Sequence, residues 1–240
     1  MTVLFGPGID IGPGITAGGA GAPAPSLLLS LDATDYSGSG TTWTAATGSN
    51  ATLVNSPTYT AASPTYFSFA PASSQYATVP SLSSLSSWTL ECWFMATSSL
   101  ASQVTTVAGD RINTSNINFT LAINPLAEGT GVLKAGFYNG GWRLTSGFVP
   151  TLNTWYQSVA TYDGSTINQY SNGSLQSTTN YSGSSTTDGL GIRIAARWDT
   201  IAGSINYFPG RVAIVKIYDG DIGSSVVTTN WNASKARFGL

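Results

Sequence analysis

The feature that most constrains this chain is a two-residue rhythm of apolar and small polar side chains, held in short runs and broken by glycine turns. The rhythm is visible at Thr65–Phe69, Trp88–Met95, Asn118–Ile123, Val132–Tyr138, Trp155–Tyr162 and Arg211–Tyr218. Successive side chains of a strand point to opposite faces, so this alternation predicts strands with one buried side. Between the runs stand Asn139-Gly140-Gly141, Asp163-Gly164, Asn172-Gly173, Asp188-Gly189 and Asp219-Gly220. Asn-Gly and Asp-Gly reach positive φ at little cost and favour tight hairpins. Asn172-Gly173, between Ile167–Tyr170 and Leu175–Ser177, carries the clearest hairpin signature. Helical character is confined to one stretch near the end of the chain. There Ser224 or Ser225 is placed to cap a short helix running through Val226, Val227 and Trp231 to Ala236, closed by Gly239. The expected fold class is all-β.

Composition narrows the chemistry. Charged residues make up 8% of the 240-residue chain, against about 25% in an average soluble domain. Nine scattered cations and a net charge of −2 cannot form the basic stripe that neutralises phosphates, so nucleic acid is excluded as a partner. The chain has no histidine, which removes imidazole metal sites and Ser-His or Cys-His catalysis. A single cysteine, Cys92, removes intrachain disulfides and thiolate zinc sites. It alternates with Leu90 and Phe94 and reads as a small buried hydrophobe. No run approaches the roughly 20 apolar residues of a membrane span, so no membrane partner is expected.

Residues 1–25 differ from everything after them. Gly6-Pro7-Gly8-Ile9 recurs as Gly12-Pro13-Gly14-Ile15, followed by further glycines, Pro23 and Pro25. The segment has too few apolar side chains for a core of its own. It reads either as a disordered leader or as an extended assembly arm, with Phe5, Ile9, Ile11 and Ile15 as the side chains that would seat on a neighbouring subunit. Lacking a basic stretch and a continuous apolar run, it does not read as a secretory signal. The expected division is an arm over 1–25 and one β-sandwich domain over 26–240.

Four blocks carry a family resemblance. They are Tyr66–Pro80, with its Tyr76-Ala77-Thr78-Val79-Pro80 strand, and Ser86–Ala96, with Ser87, Thr89, Glu91 and Trp93 at alternate positions. The third is Leu152–Thr178, containing Ala160-Thr161-Tyr162-Asp163-Gly164 and Tyr170-Ser171-Asn172-Gly173, and the fourth is Phe208–Leu240. In this order they resemble the concanavalin A-like jelly roll in its laminin G-like, pentraxin-like form. The resemblance implies a two-sheet antiparallel β-sandwich with a short C-terminal helix. Members of that architecture bind glycans, proteins or calcium, hydrolyse polysaccharides, or cover a particle surface, so the fold does not name the function.

Each inherited chemistry can be weighed on the residues. Glycoside hydrolysis needs two carboxylates flanking the scissile bond. The chain has only two glutamates, Glu91 and Glu128, in unrelated settings, and no catalytic residue is assigned. Calcium needs six to eight oxygen ligands. Asp110 with Asn113, or Asp199 with Asn206, could begin such a set, but no compact cluster follows. Asp32, Asp35, Asp219 and Asp221 read as turn residues, so no metal and no cofactor is entered. Glycan binding needs flat aromatic faces beside a few polar groups, and two regions supply them. Tyr138, Asn139, Trp142 and Arg143 surround a tight turn. Arg197, Trp198 and Asp199 precede an expected irregular stretch, Thr200 to Asn206. The competing reading is that Trp142 and Trp198 seal the sandwich. Trp43, Trp88, Trp93, Trp155 and Trp231 are assigned to packing.

The expected function is a non-enzymatic structural protein of the virion, either capsid decoration or a tail or fibre component. The Gly-Pro-Gly-Ile leader is similar to leaders of bacteriophage structural proteins. On this reading the partners are other virion subunits, held through the arm, and host-surface polysaccharide, with the chain present as a homo-oligomer or in many copies. A freestanding lectin or a polysaccharide-acting enzyme is the alternative.

Overall fold

The computed structural model describes residues 23–102, 104–110, 116–187, 189–199 and 204–240. Phe5, Ile9, Ile11 and Ile15 therefore lie outside the described residues. The first half of the chain forms β1 (Leu27–Asp32), β2 (Thr42–Trp43), β3 (Ala45–Thr47), β4 (Ala51–Val54), β5 (Thr58–Thr60), β6 (Tyr66–Phe69) and β7 (Tyr76–Val79). It continues through β8 (Trp88–Ala96), β9 (Thr105–Asp110), β10 (Asn116–Ile123), β11 (Leu133–Asn139) and β12 (Trp142–Leu144). The second half adds β13 (Trp155–Tyr162), β14 (Thr166–Ser171), β15 (Ser174–Asn180), β16 (Ile192–Ile194), β17 (Ala196–Asp199), β18 (Ser204–Tyr207) and β19 (Gly210–Tyr218). One helix, α1 (Gly223–Ser234), follows and runs into a 3-10 turn at Lys235–Phe238.

The strands make two large antiparallel sheets. The first has the order β15-β14-β13-β8-β19-β1-β3, with β6 also on β19 and β5 beyond it. The second has the order β12-β11-β10-β9-β16-β7-β4-β2, and β17 pairs with β18. The alternation predicts the all-β class, and the arrangement is the jelly-roll sandwich that the resemblance implies. Its core holds Trp43, Phe67, Trp88, Phe94, Phe119, Phe137 and Tyr162, all but shut off from solvent.

β8 shows how the sequence builds this arrangement. Trp88, Leu90, Cys92, Phe94 and Ala96 point into the core between the sheets. The alternate residues point outward, yet every residue of the strand is buried. The cover is the C-terminal segment. Trp93 stacks on Phe238 with ring centroids 4.0 Å apart and on Trp231 at 5.3 Å. Glu91, wholly buried, accepts hydrogen bonds from Gln157 Nε2 and from Asn230 Nδ2 on α1, both at 2.9 Å. Thr89 donates to the Gly220 carbonyl and accepts from the Ile222 N–H. Arg237 forms an ion pair with Asp32 at 2.6 Å and donates to the Thr65 carbonyl, closing the segment over β1.

Local chemistry mostly follows the sequence pattern. Asn172 and Gly173 have φ of 52° and 77°, the paired positive values a two-residue hairpin turn demands. The runs at Trp88, Asn118, Val132, Trp155 and Arg211 all become strands, with ends displaced by no more than two residues. The helix start differs from expectation. Neither Ser224 nor Ser225 caps it, because α1 begins at Gly223 with no capping side chain at Ile222. The Gly223 N–H instead donates to Asp221 Oδ1 at 2.7 Å, and a φ of 73° at Gly223 turns the chain back onto the sheet. The turn from β19 reaches the sheet surface sooner than a serine cap allows. Truncation at Trp93 should reveal the strength of this docking. Trp93→Ala is expected to lose about 3–5 kcal/mol, read as a lower urea midpoint with the β-rich circular dichroism retained below it.

A candidate glycan-binding surface

The first predicted region is a hairpin. β11 and β12 pair as Gly136 with Leu144, Phe137 with Arg143 and Tyr138 with Trp142, around a turn whose Gly140 has φ of 78°. Phe137 enters the core, so alternation sends Tyr138 and its partner Trp142 to the outer face of the second sheet. Their rings meet edge to face with centroids 5.4 Å apart, and both are half-buried. Gly136 is indispensable to this geometry. The Arg143 carbonyl oxygen passes through the space any Cβ there would fill, so only glycine lets β12 close on β11.

Asn139 and Arg143 do something different from Tyr138 and Trp142. Asn139 Nδ2 donates to the Tyr181 hydroxyl at 2.8 Å and to the Ser184 carbonyl at 3.2 Å. Its Oδ1 accepts from Arg143 Nε at 3.4 Å, and the Arg143 guanidinium lies 4.3 Å from the Tyr181 ring centre. Tyr181 in turn packs edge-on against Phe137 at 5.5 Å. Asn139 and Arg143 thus tie the hairpin to the segment after β15 and hold the Trp142 side in place.

The second region lies in a strand; of the stretch expected to be irregular, residues 204–206 are strand as well, and residues 200–203 lie outside the described residues. Arg197, Trp198 and Asp199 belong to β17, whose partners are Asn206, Ile205 and Ser204 of β18. The backbone of Ser204 to Asn206, expected to be irregular, completes a ladder with β17, which satisfies its peptide groups. The side chains of Trp198 and Asp199 lie outside what the structure describes. Arg197 is buried, approaches the Pro125 carbonyl with Nη1 at 3.5 Å, and places its guanidinium carbon 5.7 Å from the Trp142 ring centre. The fold therefore brings the buried Arg197 beside Trp142 and Tyr138, and assigns Asn139 and Arg143 to the support of the hairpin.

Sequence reasoning missed the rest of the arrangement. Arg193 lies over the Tyr76 ring at 4.3 Å, and Tyr76 packs against Tyr207 at 6.2 Å. Arg193 stands between the core residues Ile192 and Ile194, so alternation in that short run was the available signal. Nothing in the sequence joined Tyr181 to Asn139, because 42 residues separate them.

The acids are used structurally. Asp219 accepts from the Ser26 N–H, Asp163 from the N–H groups of Ser165 and Thr166, and Asp110 Oδ2 from the Asn118 N–H. Among the described residues no group of three or more His, Cys, Asp or Glu side chains gathers to hold a metal; Asn113 lies outside them. Glu128 sits in the loop after β10, in an ion pair with Lys134 at 2.9 Å. Cys92 is buried, and desolvation together with the neighbouring Glu91 charge pushes its thiol far above the ordinary range.

The Asn139 hydrogen bond, opposed by slight desolvation and aided by Arg143, holds the Tyr181 hydroxyl below the ordinary tyrosine range. A lowered acid pKa in the folded state contributes stability above the unfolded value and loses it as pH falls through the folded one. In an ultraviolet pH titration Tyr181 should ionise before an ordinary tyrosine. Asn139→Ala is expected to move that ionisation upward and to cost about 1 kcal/mol of stability.

Residues 71–227 match the Laminin_G_3 family model, described as the concanavalin A-like lectin/glucanases superfamily. The chain belongs to that superfamily. No curated protein matches it. Among solved structures it is similar to domain 4 of AbnA, a GH43 extracellular arabinanase from Geobacillus stearothermophilus, solved with arabinotriose. The TM-score is 0.62 at 15% identity, over 86% of this chain and 98% of that one. It is also similar to the binding domain of botulinum neurotoxin DC in complex with SialylT, with TM-score 0.66 and 14% identity over 87% of this chain and 51% of that one. The botulinum neurotoxin serotype C1 binding domain gives 0.64 and 16% over 87% and 52%. The chain spans about half the length of these toxin domains, and at such identities the likeness establishes a lectin-like β-sandwich fold.

Proposed function

We propose that this chain is a non-catalytic glycan-binding module, displayed on a virion and attached to it through residues 1–25. The observation that carries the binding half is the pairing of Trp142 and Tyr138 on the outer face of the second sheet, with the buried Arg197 beside Trp142. A partly exposed indole offers a flat face to sugar C–H groups, and binding sites of this kind add a few polar groups that orient hydroxyls. The arabinotriose and SialylT complexes of similar folds support a saccharide as the ligand class.

The absence of catalysis in this reading rests on the two glutamates. Glu91 is buried on the outer side of the first sheet beneath α1, and Glu128 is in a loop of the second. They do not flank a common cleft, as paired hydrolytic carboxylates must. The virion half rests on the repeated Gly-Pro-Gly-Ile leader and on a surface poor in charge, which packs against neighbours without desolvating many ions.

On a glycan array Trp142→Ala should lower affinity for the bound saccharide roughly thirtyfold or more, with the melting temperature moved by only a few degrees. Unchanged binding, or a collapse of stability, would return Trp142 to packing alone. Deleting Met1–Pro25 should leave a folded, glycan-binding domain that no longer incorporates into particles. Incorporation without the arm would reject the attachment role and leave a freestanding lectin.

A further inference from the structure

The edges of the two large sheets are unequal. β2, β3, β5 and β12, which end the sheets or their branch elsewhere, have two or three residues each. β15, which ends the first sheet, has seven. An edge strand presents a row of backbone N–H and C=O groups with no partner, and native sheets guard such rows by shortness, charge, proline or bulges. The short edges follow that rule. β15 keeps only one guard, a bulge at Gln176 where the register with β14 shifts between Leu175 and Ser177. Beyond it Ser177–Asn180 pairs with β14 as an unbroken run.

The surroundings of β15 also set it apart. From Gly164 to Thr187 the chain has no Asp, Glu, Lys, Arg or proline. Ser177 and Thr179 turn toward the second sheet, where Ser177 Oγ accepts from the Gly147 N–H and Thr179 Oγ1 donates to the Leu144 carbonyl. The opposite face carries Thr178, hydrogen-bonded to Asn168 at 2.7 Å, and Leu175, which is 55% exposed. Among the described residues the strand is braced from one side and open along its edge.

We infer that β15 is a self-association edge: two copies of the chain pair antiparallel through this strand about a two-fold axis, joining their first sheets. The occupant follows from the chemistry of the strand. A run with neither sign of charge has nothing to select a charged peptide, and it does not repel its own copy. An isologous contact needs only a self-complementary surface, and backbone pairing of identical antiparallel strands supplies one. Leu175, an unexplained exposed leucine, is then covered at the margin of the joint. The inference is independent of the glycan surface.

Cysteine scanning of the full-length protein tests it cleanly, because the native Cys92 is buried and will not cross-link. Single cysteines at Thr178, Asn180 and, as a control, the 57%-exposed Val149 are oxidised and run on a non-reducing gel. A dimer in sedimentation, with cross-linking at Thr178 or Asn180 and none at Val149, is the expected result. The double variant Gln176→Lys with Thr178→Lys places like charges across the joint and should weaken the dimer about tenfold or more, with unchanged near-ultraviolet circular dichroism. A monomer at the highest soluble concentration would overturn the inference. So would a dimer that cross-links at Val149 only, or one indifferent to the two lysines.

Discussion

Burial of β8 on both of its faces is the constraint on which the rest of this structure depends. One face supplies Trp88, Leu90, Cys92 and Phe94 to the core between the sheets, each large side chain worth about 1.5–3 kcal/mol when removed from water. The other face would be an exposed apolar and acidic strip without the C-terminal segment. Trp93 needs Phe238 and Trp231 over its indole, and Glu91 needs amide donors once water is excluded. α1 supplies Trp231 and Asn230, the 3-10 turn after it supplies Phe238, and β13 supplies Gln157. Since β13 and β19 flank β8, the same docking stabilises the centre of the first sheet and leaves its edges to vary.

The candidate binding surface depends on the second sheet in a comparable way. Tyr138 and Trp142 can stand on its outer face because Phe137 fixes the register by entering the core. Gly136 then allows β12 to close, and Asn139 with Arg143 locks the hairpin against Tyr181 and Ser184. The arrangement separates roles that look interchangeable in sequence: of four neighbouring polar and aromatic residues, Tyr138 and Trp142 stand on the outer face and Asn139 and Arg143 brace the hairpin. A rigid support beneath a half-exposed indole is what a saccharide platform needs, since loss of side-chain freedom on binding is then small.

The two sheets also treat their outer surfaces differently. The first is sealed by α1 near its centre and left bare at β15. Both carry aromatic rings paired with guanidinium groups: Tyr66 with Arg211 on the first, and Trp142 with Arg197 and Tyr76 with Arg193 on the second. In a chain with nine cations, these three guanidinium–ring pairs are a substantial share of its polar chemistry.

The strands and the Asn172-Gly173 turn were legible in the sequence because they depend on neighbours one to four residues away, and the packing role of five tryptophans followed from their strand or helix positions. Strand β9 was not legible, since Thr105, Thr106, Val107, Ala108, Gly109 and Asp110 carry no alternation of apolar and polar side chains, although all six are buried. The start of α1 escaped for a related reason, being set by where the chain meets the sheet and not by a serine cap. Trp142 and Arg197 were each identified as candidates by residue type. Their meeting, the bracing role of Asn139 and Arg143, and the contributions of Tyr181, Tyr76 and Arg193 were decided by tertiary structure alone. Hydrogen bonds and ring contacts across dozens of residues of chain exist only once sheet order and register have placed the strands side by side.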